Sequence, residues 1–97
     1  MLIIILINKL DDKLDNMIKV KFSGLLRLDL KSPGFECEAA TVDELLTIIE
    51  DSFPVSITDL RNSIIFVRGK NIVDQRLFKT ELHNGDEVLL MMPASGG

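Results

Sequence analysis

The sequence predicts an α+β fold in which one main helix packs on a mixed sheet. Three observations carry that expectation. Apolar and polar residues alternate strictly in two early segments, a single amphipathic segment is marked at both ends, and an apolar run follows a turn near the end of the chain. The expected order is β-β-α-β-β-β, with no internal repeat and no low-complexity tract.

The first sixteen residues are an apolar run, Met1-Leu2-Ile3-Ile4-Ile5-Leu6-Ile7, followed by a polar break over 8–16. The apolar run is far short of the about 20 residues a membrane span needs. It also lacks the basic flank and small-residue cleavage site of an export signal. In Met17-Ile18-Lys19-Val20-Lys21-Phe22 the apolar Ile18, Val20 and Phe22 share one face and two lysines the other, the pattern of a half-buried strand. Leu26, Leu28 and Leu30 alternate with Arg27, Asp29 and Lys31, which carries the extended character onward. Ser32-Pro33-Gly34 is a turn by composition, and Phe35-Glu36-Cys37-Glu38-Ala39 alternates again, giving an antiparallel hairpin.

Thr41 stands where a helix N-cap belongs, with Glu44 at the capping-box spacing. Asp43 and Glu44 suit the positive end of the helix dipole. Val42, Leu45, Leu46, Ile49 and Phe53 fall on one face, predicting a helix over 42–52 that Pro54 ends. Residues 55–63 are a polar connector. Ile64-Ile65-Phe66-Val67 is the next strand, Arg68-Gly69-Lys70-Asn71 a turn, and Ile72-Val73 a brief return strand. Leu77, Phe78 and Leu82 are expected as buried points in an irregular stretch. Asn84-Gly85-Asp86 turns the chain into a final strand over 87–92.

Ninety-seven residues fit one domain with one core. A net charge of −4 argues against a nucleic-acid binder, which would show a basic face. The single cysteine, Cys37, excludes an intramolecular disulfide and a Cys-rich zinc site, and agrees with a reducing, cytoplasmic setting. Cys37 shares the alternating face of Phe35 and Ala39 and reads as packing. His83, beside Asn84-Gly85, reads as a solvated loop residue. Asp11-Asp12 and Glu50-Asp51 read as solvated surface. No phosphate-binding glycine loop, metal-ligand cluster or Ser/His or Cys/His pair is present, so the chain carries no catalytic apparatus and no cofactor site of its own.

The most informative residues are Pro93-Ala94-Ser95-Gly96-Gly97. A diglycine adds nothing to a core and loses the most backbone entropy on ordering. Without Cβ atoms, Gly96 and Gly97 can thread a channel too narrow for any side chain. Pro93, lacking an N–H, stops strand pairing. The expected layout is an extension over 1–16 (an added strand or a disordered arm), a folded domain over 17–92, and a flexible tail over 93–97 that presents the Gly97 carboxylate. Pairing of Ile3, Ile5 and Ile7 with a sheet edge, cover of an apolar surface, or pairing between two molecules are the roles open to the extension. A chain starting at Met17 is expected to fold cooperatively. The plain alternative for the diglycine is a frayed terminus.

From Met17 to Gly97 the chain resembles the MoaD/ThiS family of sulfur carriers, which are ubiquitin-like β-grasp proteins. The resemblance rests on Ile18-Lys19-Val20-Lys21-Phe22, on Ala40-Thr41-Val42-Asp43-Glu44-Leu45-Leu46, on Arg68-Gly69-Lys70, on Asn84-Gly85-Asp86-Glu87-Val88 and on the Pro-x-Ser-Gly-Gly ending. Met92-Pro93 stands for the family's usual Pro-Pro, Asn84 for the commoner Asp, and residues 1–16 have no counterpart.

The resemblance implies that a ubiquitin-activating-type adenylyltransferase (MoeB/ThiF-like) uses ATP to convert the Gly97 carboxylate into an acyl adenylate. A sulfur donor then displaces AMP and leaves a thiocarboxylate. Gly97 is thus the reacting residue and Gly96 its companion. The ending is more like the MoaD branch, which implies the small subunit of molybdopterin synthase working with a MoaE-like large subunit. Alternatives are sulfur delivery to thiamine thiazole, cysteine or tRNA, conjugation to lysines as a protein modifier, or a plain interaction module. No nucleic acid and no membrane partner is implied.

Alternation locates a candidate partner surface. Glu87 facing water puts Leu89 and Met91 on its side and Val88, Leu90 and Met92 toward the helix. Arg68 likewise puts Phe66 outward and Ile65 and Val67 inward. Phe66, Leu89 and Met91, with Pro93 at the root of the tail, form the expected partner-binding surface. The alternative is that residues 2–7 fold over it.

Overall fold

The computed structural model describes residues 16–92. Residues 1–15 and 93–97 lie outside the described residues, and so do the expectations placed on the extension over 1–16 apart from Asn16 and on the tail residues Pro93, Gly96 and Gly97. Strand β1 is Met17–Gly24, helix α1 Leu25–Leu30, strand β2 Gly34–Glu38, helix α2 Val42–Ser52 and helix α3 Ile57–Arg61. Strands β3 (Ile64–Val67) and β4 (Lys70–Asn71) follow, then two single 3-10 turns, then β5 (Glu87–Met92). The sheet order is β2-β1-β5-β3-β4, with β1 and β5 parallel and every other pair antiparallel. The first and last strands of the described domain are therefore central neighbours.

Helix α2 covers one face of this sheet. Its Val42, Leu45, Leu46 and Ile49 are fully buried against Ile18, Val20, Phe22, Ile65, Val67, Val88 and Leu90. Each large aliphatic side chain so buried contributes about 1.5–3 kcal/mol, so this helix-on-sheet layer holds the fold. Both ends of α2 follow from the sequence. The Thr41 hydroxyl accepts the Glu44 N–H at 3.2 Å, while Glu44 reaches one residue further back, to the Ala40 N–H at 3.4 Å. Phe53 is forced into an extended conformation (φ −133, ψ 155) by the proline behind it.

Four expectations need correction. The leucine alternation over 26–30 is not a strand: Gly24 (φ 66, ψ −145) breaks the chain direction, and α1 buries Leu26 and Leu30 four residues apart while Leu28 is 71% exposed. The 55–63 connector contains α3, capped by the Ser56 hydroxyl accepting from Asp59 N–H at 3.1 Å and pinned by buried Leu60. The return strand is Lys70–Asn71, not Ile72-Val73, because the Asn71 side chain accepts the Val73 N–H at 3.0 Å and winds the chain into a 3-10 turn. Leu77 is half exposed and Phe78 only partly buried against the core, while Leu82 is buried as expected.

The Asn84-Gly85-Asp86 turn does more than reverse the chain. The Asn84 side-chain oxygen accepts the Met17 N–H (3.1 Å), Gly85 N–H reaches the Met17 carbonyl (2.9 Å), and the Asp86 carboxylate pairs with Arg68. One turn thus fastens the start of β1 and the β3–β4 turn to the start of β5. His83 is exposed at its edge, where its backbone N–H donates to Asp86.

Candidate functional site: the end of the last strand and the open sheet face

Strand β5 is paired to its last residue on the β1 side, where Gly24 lies opposite Met92, and as far as Met91 on the β3 side, where Ile64 lies opposite it. The close approach at the end is possible because residue 24 is glycine. A Cβ there would sit 2.2 Å from the Met92 carbonyl oxygen, and its backbone conformation is one that side chains strain to adopt. Gly24→Ala is expected to lower stability by about 1–3 kcal/mol from backbone strain alone, read as a lower denaturant midpoint in urea unfolding, with the β1–β5 pairing disturbed at the root of the tail. An unchanged midpoint would show that the position has no such constraint.

The open face of the sheet bears the residues that alternation placed there. Leu89 lies opposite Phe66 across β5–β3, and Met91 opposite Ile64. All four side chains are half-buried, whereas Ile65, Val67, Val88 and Leu90, one residue along, are buried at 1% exposure or less. Phe66, Leu89 and Met91 therefore do come together. Ile64 completes the patch; the sequence argument missed it, although its spacing of two from Phe66 carries the signal. On the β1 side Lys21 and Ser23 lie opposite Leu89 and Met91, and Lys21 pairs with Glu87 at 3.2 Å. The patch is thus apolar in its middle and charged at its β1 margin, where the ion pair is too exposed to matter much for stability. Met92 points the other way, packing on the core beside a cleft of about 230 Å3 between α1 and the segment leading into α3.

The other candidates separate from this site. Cys37 lies on β2, two strands from β5 on the helix-covered side, half-buried against the core. Burial pushes its thiol up to about 11, with Glu44 adding to the effect, so it is protonated and a poor nucleophile at neutral pH. Among the described residues no group of three or more His, Cys, Asp or Glu is placed to hold a metal ion, and no helix is long and apolar enough to cross a membrane.

Comparison with known proteins bears on the family and the fold. The model of the ThiS family matches residues 27–97, so the match runs through the diglycine. No curated protein matches the chain. Solved structures do. The solution structure of small archaeal modifier protein 1 from Methanosarcina acetivorans superposes with a TM-score of 0.71 at 23% identity, covering 86% of this chain and 98% of that one. The BexX/CysO complex of Amycolatopsis orientalis gives 0.70 at 19% identity, over 82% and 99%. The complex of subunits 1 and 2 of the molybdopterin-converting factor from Helicobacter pylori 26695 gives 0.56 at 26% identity, over 84% and 99%. The fold is the ubiquitin-like β-grasp that the sequence motifs implied, and two of these three structures are complexes with a partner protein.

Proposed function

The chain belongs to the ThiS family of small ubiquitin-like carriers, and on that premise we propose that it carries sulfur as a thiocarboxylate on Gly97 and delivers it in molybdopterin synthesis. The observation that supports the reading is a juxtaposition. A family match that extends to Gly97 meets a strand end locked by Gly24 and an apolar patch beside it.

The chemistry follows from the carboxylate. Its negative charge repels nucleophiles, so it must first be activated. One carboxylate oxygen attacks the α-phosphorus of ATP in the active site of an adenylyltransferase, pyrophosphate leaves, and the Gly97 carbonyl becomes an acyl adenylate. Hydrosulfide then adds to that carbonyl carbon and AMP departs, leaving a thiocarboxylate. Its sulfur is ionised and nucleophilic near neutral pH, as thiolates are. The absence of side chains on Gly96 and Gly97 lets it pass into another protein's pocket. The chain serves as substrate and carrier, and the large synthase subunit performs the transfer. The β5–β3 patch is the docking surface that brings the tail to each partner in turn.

The molybdopterin assignment draws on the Pro-x-Ser-Gly-Gly ending and on the likeness to subunit 1 of the Helicobacter pylori factor. A second reading, conjugation of Gly97 to lysines, draws on the likeness to an archaeal modifier protein. Reconstitution decides between them. The full chain is incubated with an adenylyltransferase of the ubiquitin-activating type, ATP, sulfide, a MoaE-like large subunit and the pterin precursor. The proposal predicts a dithiolene-bearing pterin and return of the chain to its carboxylate form. Lysine isopeptides with no pterin product would select the modifier reading and contradict the first.

A further inference from the structure

The sheet has two edges among the described residues. One is β4, only two residues long. The other is β2, whose outer side is paired with nothing described. The hydrogen-bond phase of β2 can be read from its pairing. Ala39 N–H donates to the Asn16 carbonyl at 3.2 Å and Phe22 N–H to the Pro33 carbonyl at 3.0 Å. In step with these, Cys37 and Phe35 exchange bonds with Ile18 and Val20, so the N–H and C=O groups of Glu36 and Glu38 point away from β1, along the free edge. Open groups of that kind are a template for another strand.

The core is also incompletely covered on this side. Phe35 and Cys37, the inward residues of β2, are only half-buried, and so are Ile48 and Phe53 of the α2 side. Phe35 and Phe53 stand 5.2 Å apart, centroid to centroid, at the outer rim of an aromatic trio with Phe22. One further strand with apolar inward residues would satisfy the backbone groups and shield these side chains together.

The chain holds one segment suited to that place. Residues 2–7, Leu-Ile-Ile-Ile-Leu-Ile, are uncharged, rich in β-branched residues and free of proline and glycine. The first residue of β1, Met17, lies opposite Glu38, at one end of the open edge. A strand docked on that edge would lie two strand spacings from β1, about 10 Å, while the nine residues 8–16 span up to about 30 Å. The reach is ample. Pairing of β2 with β2 of a second copy is disfavoured, because it would bring Glu36 and Glu38 of both chains together on one face. We propose that the free edge of β2 is a strand-docking site whose occupant is residues 2–7 of the same chain, forming a sixth strand that hydrogen-bonds Glu36 and Glu38 and covers Phe35 and Cys37.

The inference is independent of the sulfur-carrier reading. It is tested by NMR on the unmodified full chain at several concentrations. The expected result is slowed amide exchange at Glu36 and Glu38, with cross-strand contacts between their amide protons and those of residues 2–7, unchanged on dilution. Ile4→Pro and the pair Ile3→Asp with Ile5→Asp are expected to abolish that slowing and to speed alkylation of Cys37, while Ile18 and Val20 amides stay protected. Free exchange at Glu36 and Glu38 in the unmodified chain would overturn the proposal. So would contacts that vanish on dilution, which would place a second copy on the edge, or protection that survives both variants.

Discussion

Leu89→Asp combined with Met91→Asp is expected to leave the protein folded and to weaken its binding to the adenylyltransferase or the large synthase subunit by about thirtyfold or more, the loss of a hot spot worth about 2 kcal/mol. The folding half of the expectation comes from the layering. The core lies between α2 and the inward residues Ile18, Val20, Ile65, Val67, Val88 and Leu90, all at 2% exposure or less, while Leu89 and Met91 project from the opposite face and are half-buried. Charges placed there meet water, not the core. The binding half comes from position: the altered residues are the last outward pair of the strand that leads into the tail, and they lie against Phe66 and Ile64. On the proposed reading, a partner that takes up residues 93–97 is expected to meet that patch. Titration calorimetry with the partner, together with thermal unfolding of the variant, checks both halves. Undiminished binding by the folded double variant would remove the patch from the account, and outright unfolding would mean that Leu89 and Met91 belong to a core covered from the other side.

What the sequence made legible follows physical lines. Helix α2 was readable to its ends because its signals are local and agree: the Thr41 hydroxyl, the Asp43-Glu44 first turn, the periodic apolar face and Pro54. The inward and outward sides of β3 and β5 were readable because a strand has period two, and one charged residue, Glu87 or Arg68, sets the phase. Helix α1 was not, because Leu26, Leu28 and Leu30 satisfy strand alternation and helical spacing of four equally well. The deciding residue is Gly24, whose positive φ answers to the distant Met92 carbonyl. Helix α3 and the shift of the return strand to Lys70–Asn71 turn on single side-chain bonds, Ser56 to Asp59 and Asn71 to Val73, which leave no periodic trace. At the site, counting by two found Phe66, Leu89 and Met91 and reaches Ile64 by the same rule, while only the register shows that the four side chains meet across β5–β3.

The central claim is that the chain works through the carboxylate of Gly97, and intact-mass spectrometry tests it most directly. The full chain is incubated with an adenylyltransferase of the ubiquitin-activating type, ATP and sulfide, beside a chain lacking Gly97 and a chain with one residue added after it. Adenylation requires a free α-carboxylate at the end of a tail thin enough to enter the nucleotide site. Removing Gly97 leaves that carboxylate one residue short and draws Ser95 a position closer to the reacting centre, while an added residue replaces the glycine carboxylate with a bulkier one displaced outward. The account predicts that the unmodified chain exchanges one oxygen for sulfur and that both altered chains lose the exchange, although their folded domains, complete by Met92, remain intact. Equal conversion of the chain lacking Gly97 would contradict it.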